Sequence, residues 1–443
     1  MPVDTFPLAA ATRLPPRGSR LPAPIQTFLY GKYRHVLLPR VHQRHGDIFT
    51  LKLAQFAPKV VVLAKPADIR NIFTGSASTF HAGYGILGPA MGDHSVILLD
   101  EGEHKRVRRL VMPAFTGPAL RGYQDMVAQL TKDEVAGWET DRPVNGYTRM
   151  QQLTLEVILR VVFGVTDPNR LTEMRPLVYH VASIGPITLL GLSNPLLRRV
   201  NPWRRYRARQ ERLDALLYSE ITERRRAKDL ESRTDILSRL LVASRSDPSQ
   251  DGLSDAELRD QLITLLLAGH ETTSAALAWT LHELARQPVH LKAAQKAAST
   301  GDDEYLSAVA KEILRLRPVV YELARQLAEP VEIGGYRLPA GIAVMPAVGL
   351  VHSDSENFPD ADSFRPERFI EGQPAANTWI PFGGGARRCV GAGFALMEMT
   401  IVLRELLRDF DIRPDRPRPE APYMRNVTLV PARGARIVLT RRP

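Results

Sequence analysis

Phe382-Gly-Gly-Gly-Ala-Arg-Arg-Cys389-Val-Gly391 holds the only cysteine of a 443-residue chain. One cysteine cannot close an internal disulfide, so the chemistry here is that of a single thiol or thiolate. Most lone cysteines are small buried hydrophobes. Three successive glycines and two arginines are poor core material, however, and they suit a place where something flat and anionic lies against the backbone. Glycine lets such a partner approach closely, and arginine holds carboxylates. Arg387 and Arg388 precede the thiol, and Gly391-Ala-Gly-Phe-Ala-Leu-Met-Glu-Met399 reads as the start of a helix. A helix N-terminus and adjacent guanidinium groups both lower a thiol's pKa, which favours the thiolate.

Thiolate is one of the few protein groups able to serve as the axial ligand of a haem iron. The spacing resembles the haem-binding loop of the cytochrome P-450 family, Phe-x-x-Gly-x-Arg-x-Cys-x-Gly, with Phe382, Gly385, Arg387, Cys389 and Gly391 at its fixed positions. The resemblance implies a mainly α fold with a small β region, in one domain with a long central helix over the haem. It makes Cys389 the ligand of a haem b iron, Phe382, Arg387 and Gly391 part of the cofactor site, and O2 a co-substrate.

Upstream, Ser254-Asp-Ala-Glu257 has the pattern of a capping box and opens an apolar stretch that stops near Pro288. A helix apolar nearly all round crosses an interior. There Glu271-Thr272-Thr273 is costly unless it has partners or a task. The plainer reading is a kink with threonine bonding back to the helix. Ala268-Gly269-His270-Glu271-Thr272-Thr273 also matches the family's Ala-Gly-x-Asp/Glu-Thr-Thr stretch. That match implies that Ala268 and Gly269 leave room for dioxygen over the iron. Thr272, one turn from Ala268, then faces the same spot, and Glu271 links its hydroxyl to water. These two are the expected catalytic, proton-managing residues; His270 points elsewhere and is not expected to bind iron.

Glu312-Ile-Leu-Arg315 fits the family's Glu-x-x-Arg, and Arg368 of Pro366-Glu-Arg-Phe369 supplies the third, structural member. His104 and Arg108 lie four apart on one helical face and, with Arg325 and Arg387, match the family's propionate-binding positions. Family position also nominates substrate contacts: the 81–94 loop, the apolar stretch Ile184 to Leu197, and Leu265, Val319, Val320, Leu323 and Val427. They are mostly apolar and imply a hydrophobic substrate of steroid, terpenoid, fatty-acid or polyketide-like kind. Glu322 is the polar exception.

Strands are expected at Gly46 to Leu53 and Lys59 to Leu63, and a hairpin at Pro330 to Leu338 through Gly334-Gly335. Residues 1–20 read as an irregular lead-in and 21–443 as a single domain. Composition is that of an ordinary globular chain, 44% hydrophobic and 24% charged. The net charge is +11. Arginines crowd between Arg198 and Arg226, where a solvated helix face is expected; no nucleic-acid motif accompanies them. No apolar run is long enough for a membrane span. Members from eukaryotes usually carry a membrane anchor at the N-terminal end. Its absence, with a single thiol to keep reduced, points to a soluble, bacterial-type, cytoplasmic protein, and a monomer is expected. Electrons must come from outside, since no flavin, iron–sulfur or Gly-x-Gly-x-x-Gly nicotinamide site is evident. A ferredoxin with its reductase, fed by NAD(P)H, is the expected partner, steered by Lys105, Arg106 and Arg109. The alternatives are a peroxide-driven or non-oxidative haem-thiolate enzyme, a non-catalytic haem ligand sensor and a haem-free redox thiol.

Overall fold

Ser254 accepts a hydrogen bond from the N–H of Glu257 while the Glu257 carboxylate accepts one from the Ser254 N–H, and this capping box starts a helix over Asp255–Leu284. At 1.5 Å per residue, its 30 residues span roughly 45 Å, and nearly all from Leu258 onward are buried. The computed structural model describes residues 15–54, 57–164, 167–182, 185, 191–192, 196–245 and 252–442. Helices predominate, and the largest hydrophobic core wraps the central helix with Gly146–Phe163, Gly117–Ala136, Asp303–Leu316 and Ala392–Asp409.

The strands gather beside this helical body. They are β1 (Ile48–Leu53), β2 (Ala57–Leu63), β3 (Phe80–Ala82), β4 (Pro143–Asn145), β5 (Arg325–Leu327), β6 (Val331–Ile333), β7 (Tyr336–Leu338), β8 (Ala343–Pro346), β9 (Phe410–Pro414), β10 (Pro422–Arg425), β11 (Thr428–Pro431) and β12 (Arg436–Arg441). Five form one sheet in the order β1-β2-β8-β5-β3, with β2 and β8 parallel. The two-residue period of a strand explains how β2 is buried on both faces. Val60 and Val62 pack with Tyr30 and Leu38 of the helix Ala23–His45. Val61 and Leu63 pack on the other side with Ile69 and Phe73 of the helix Pro66–Thr74. Gly334 and Gly335, both at positive φ, turn β6 into β7, the conformation that glycine adopts without penalty.

The β10–β11 hairpin bears on the site. Its turn contains Asn426 at φ 57°, and Trp279 of the central helix donates from Nε1 to the Leu429 carbonyl at 2.8 Å. Leu429 N–H donates to the Val319 carbonyl at 2.8 Å, and Val320 bridges Thr428.

The arginine-rich segment corrects one expectation. Along Trp203–Arg226, Arg207 pairs with Glu211 in solvent, but Arg224 is buried. It donates to Asp235 at 2.5 Å, to Ser238 at 2.7 Å and to the Phe163 carbonyl at 2.6 Å. That residue ties helices together and does not join a solvated face. Among the described residues, no helix is long and apolar enough to cross a membrane.

Candidate active site around Cys389

The cysteine loop folds back on itself: Cys389 N–H donates to the Phe382 carbonyl at 2.9 Å and Arg388 N–H to that of Gly385 at 3.1 Å. Gly384 and Gly385 also have packing reasons within the protein that their spacing does not reveal. A Cβ on Gly384 would enter the Phe73 ring, and one on Gly385, at φ 65°, would meet the Phe73 carbonyl. Gly383, at φ 68°, sits against Leu323. Gly391 is different, because a Cβ there would reach 4.0 Å from Cys389 Sγ. Phe382 stacks edge-on with Trp379, ring centroids 6.0 Å apart.

Cys389 is accessible to a water-sized sphere, yet protein crowds it closely enough to desolvate the thiol. Burial pushes its pKa up; a hydrogen bond from the Gly391 N–H and the charges of Arg108 and Arg388 pull it down without prevailing. The sequence-based reading had the helix start and the guanidinium charges but lacked the larger opposing effect, which depends on the surrounding fold.

From Leu258 to Leu284 of the central helix, the residues that are half-buried rather than buried are Leu267, Ala268, Gly269 and Thr272. Ala268 and Thr272 share a helical face, and Thr272 Oγ1 donates to the Ala268 carbonyl at 2.7 Å. That bond uses the hydroxyl hydrogen, and the oxygen retains acceptor capacity. Gly269 has a packing reason: a Cβ there would lie 2.9 Å from Ile158 Cδ1. Its smallness lets Ile158 of the helix Gly146–Phe163 pack close beside it. His270 is fully buried, its Nδ1 3.0 Å from Thr154 Oγ1 on that same helix. Burial and Arg425 push its pKa down to about 4. Glu271, also buried, accepts from the Tyr147 hydroxyl at 2.6 Å and lies 3.3 Å from Arg425 Nε.

His104, Arg108, Arg325 and Arg387 converge in space. Burial, then Arg387 and Arg108, push His104 down to about 4, so it is a neutral imidazole near pH 7. Arg387 is held below the usual guanidinium range, chiefly by burial and also by Arg325 and Arg108, while Asp100 opposes. Asp100 pairs with Arg387 and accepts the Ala82 N–H at 2.7 Å. Arg325 also feels Asp100 and Tyr84, and Arg108 Nη2 donates to the Arg388 carbonyl at 2.6 Å. Three guanidinium charges against the one carboxylate of Asp100 leave a surplus of two. A group bearing two carboxylates, as haem does, fits that surplus, and an accessible thiol and an accessible helix face fit its iron and its open side. Asp100 was not nominated from the sequence, and Tyr84 only as part of the 81–94 loop expected to touch substrate; neither belongs to a recognisable spacing.

Glu312 and Arg315 are buried, joined through Arg315 Nε and Nη2 at 2.7 and 2.8 Å. Arg368 Nε reaches the same Glu312 at 3.2 Å. Arg315 also donates to the carbonyls of His352, Ala361 and Ser363 at 2.9, 2.8 and 3.0 Å. His352 Nε2 in turn accepts the Ile380 N–H at 2.9 Å, just ahead of Phe382. The trio thus organises the chain that feeds the cysteine loop.

Among the nominated substrate contacts, Leu265 and Val319 are buried and Val320 and Leu323 half-buried, while Val427 is 47% exposed at the hairpin tip. Glu322 is committed elsewhere, accepting from Tyr30 at 2.6 Å and pairing with Arg34. In the 81–94 loop, His81 Nε2 lies 2.8 Å from Glu101 and His94 Nδ1 3.0 Å from Asp260. Most of the nominated Ile184 to Leu197 stretch lies outside the described residues. Arg106, expected as bare positive charge, is paired with Glu103 at 2.9 Å and with Glu257.

The family model for cytochrome P450 matches residues 15–438. Two proteins of Mycobacterium tuberculosis are close in sequence. The chain is 47% identical to one named cytochrome P450 135A1, over 97% of this chain and 95% of the relative. It is 44% identical to one named cytochrome P450 135B1, over 96% and 91%. A solved structure titled retinoic acid bound cyanobacterial CYP120A1 shares the fold, with a TM-score of 0.85 at 24% identity over 98% of this chain and 100% of that one.

Proposed function

The chain belongs to the cytochrome P450 family of haem-thiolate monooxygenases, and we propose that it inserts one atom of O2 into a hydrophobic organic molecule with electrons from a ferredoxin and its NAD(P)H-dependent reductase. When bound, the haem supplies dioxygen binding and reduction. Cys389 ligates its iron, Arg108, Arg325, Arg387 and neutral His104 hold its propionates, and Phe382 and Gly391 border it. One observation carries the reading: an accessible thiol, an accessible Ala268–Thr272 face and a surplus of two positive charges among Arg108, Arg325 and Arg387 occur together in one chain.

Glu271 and Thr272 manage protons. Thr272 stands on the accessible face with a free acceptor site, and Glu271 adjoins it in a buried setting from which bulk water is excluded. The substrate is expected among steroids, terpenoids, fatty acids or polyketide-like molecules, in contact with Leu265, Val319, Val320, Leu323 and Val427. A single domain over 21–443, working as a cytoplasmic monomer, completes the reading.

Lys105 and Arg109 are exposed on the His104 helix, and Arg388 is exposed beside the cysteine; such a surface would steer an acidic ferredoxin. Reversing Lys105 and Arg109 to glutamate should slow reduction by a surrogate ferredoxin and flatten its salt dependence; unchanged rates contradict that partner. Binding-induced spin shifts with one molecule of each class test the substrate. A response to apolar ligands supports the reading, and none from any class contradicts it.

A further inference from the structure

Glu271 is held from two sides. Tyr147, on the helix Gly146–Phe163, donates its hydroxyl to Oε1 at 2.6 Å, and Arg425, at the end of β10, brings Nε within 3.3 Å of the same oxygen. The Arg425 guanidinium lies 5.6 Å from the Tyr147 ring centroid, and Gln151 donates to the Tyr147 hydroxyl at 3.3 Å. The other carboxylate oxygen, Oε2, is buried without a hydrogen-bond partner. A carboxylate clamped through one oxygen keeps its second oxygen available and oriented.

Arg425 is also part of the turn that carries Val427. Arg34 donates to the next carbonyl, Asn426 O, at 3.2 Å, and itself pairs with buried Glu322, four residues on from Pro318. Beyond the turn, Thr428 bridges Val320. The hairpin tip is therefore tied to the Val319–Leu323 segment and, through Arg425, to Glu271.

We propose that Arg425, with Tyr147, is a positioning residue for Glu271 that sets its readiness to pass protons and ties it to the hairpin tip bearing Val427. This rests on the proton-managing role of Glu271 and Thr272 given above. Arg425 supplies the charge and Tyr147 the directed hydrogen bond. Neither touches the reacting atoms, so their effect runs through the carboxylate.

The test uses the haem-loaded protein with NADPH, a surrogate ferredoxin and its reductase, and no added substrate. Dioxygen then takes either two electrons and two protons to peroxide, or four of each to two waters. Arg425→Gln should slow dioxygen consumption about tenfold, a decade below the smallest effect usual for a general acid, and raise the peroxide share and the solvent deuterium isotope effect. Arg425→Lys, which keeps the charge, should recover most of each. Thermal unfolding is the readout independent of turnover: Arg425→Gln and Glu271→Gln together should lower Tm by less than their separate effects combined. An unchanged isotope effect in Arg425→Gln, or additive Tm losses with no rescue by lysine, overturns the proposal. Thr272→Ala separates the two levels. If it uncouples dioxygen reduction while Arg425→Gln does not, the positioning role alone fails. If neither changes it, the proton-delivery reading fails as well.

Discussion

Glu312 and Arg315 meet through hydrogen bonds of 2.7 and 2.8 Å at a place where neither side chain reaches solvent. Three apart on one helix, they face the same way. Two further groups fill the remaining positions on the carboxylate, Arg368 Nε and the Arg365 N–H at 2.8 Å. Removing one partner of a buried pair leaves the other charge stranded, which costs about 3–5 kcal/mol. Glu312→Ala should therefore lower the unfolding midpoint sharply and reduce haem retention, because Arg315 also holds His352 and His352 holds Ile380. Denaturant titration and the haem-to-protein absorbance ratio measure both. A change below about 1 kcal/mol, the ordinary value of an exposed pair, would contradict the structural role.

Gly269 packs against Ile158. A Cβ there meets only the terminal Cδ1 of Ile158, which can turn away, and alanine adds about 1 kcal/mol of helix propensity, so Gly269→Ala should change stability by less than about 1 kcal/mol. The same variant should slow dioxygen binding to the reduced haem protein, measured by stopped flow; a large loss of stability with unchanged dioxygen binding would contradict the expected role of Gly269 in leaving room for dioxygen.

Two buried groups set opposite pH limits. His352 has its pKa pushed down to about 3 by burial and then by Arg315. Its contribution to stability is complete above the unfolded value of 6.5 and is lost as pH falls toward 3. Glu398 is buried on the cysteine helix, and desolvation raises its pKa to about 8. Its contribution is complete below 4.5 and is lost as pH rises through 8. Each carries up to about 5 kcal/mol by linkage. Unfolding midpoints between pH 3 and pH 8 should show both declines, and Glu398→Gln should remove most of the one on the alkaline side. An unaltered alkaline decline in that variant would contradict the assignment.

The legible parts of this molecule were those written in short spacings. The capping box at Ser254, the Gly334-Gly335 turn, the alternation of β2 and the Glu312–Arg315 face all depend on residues a few positions apart. What the sequence concealed depends on distant chain segments meeting. Gly384 and Gly385 answer to Phe73, Arg106 to Glu257, Arg224 to Asp235 and Phe163, and Arg425 to Glu271. The desolvation that raises the Cys389 pKa is likewise a property of the assembled fold.

The most direct measurement is the absorption spectrum of the dithionite-reduced protein under carbon monoxide, for the natural chain and for Cys389→His. The natural chain should show its Soret band at the wavelength, in nanometres, that gives the family its name. With imidazole in place of thiolate, the band should move to shorter wavelength while haem remains bound. A natural chain lacking the thiolate band, or a Cys389→His protein that retains it, would contradict the assignment of Cys389 as the iron ligand.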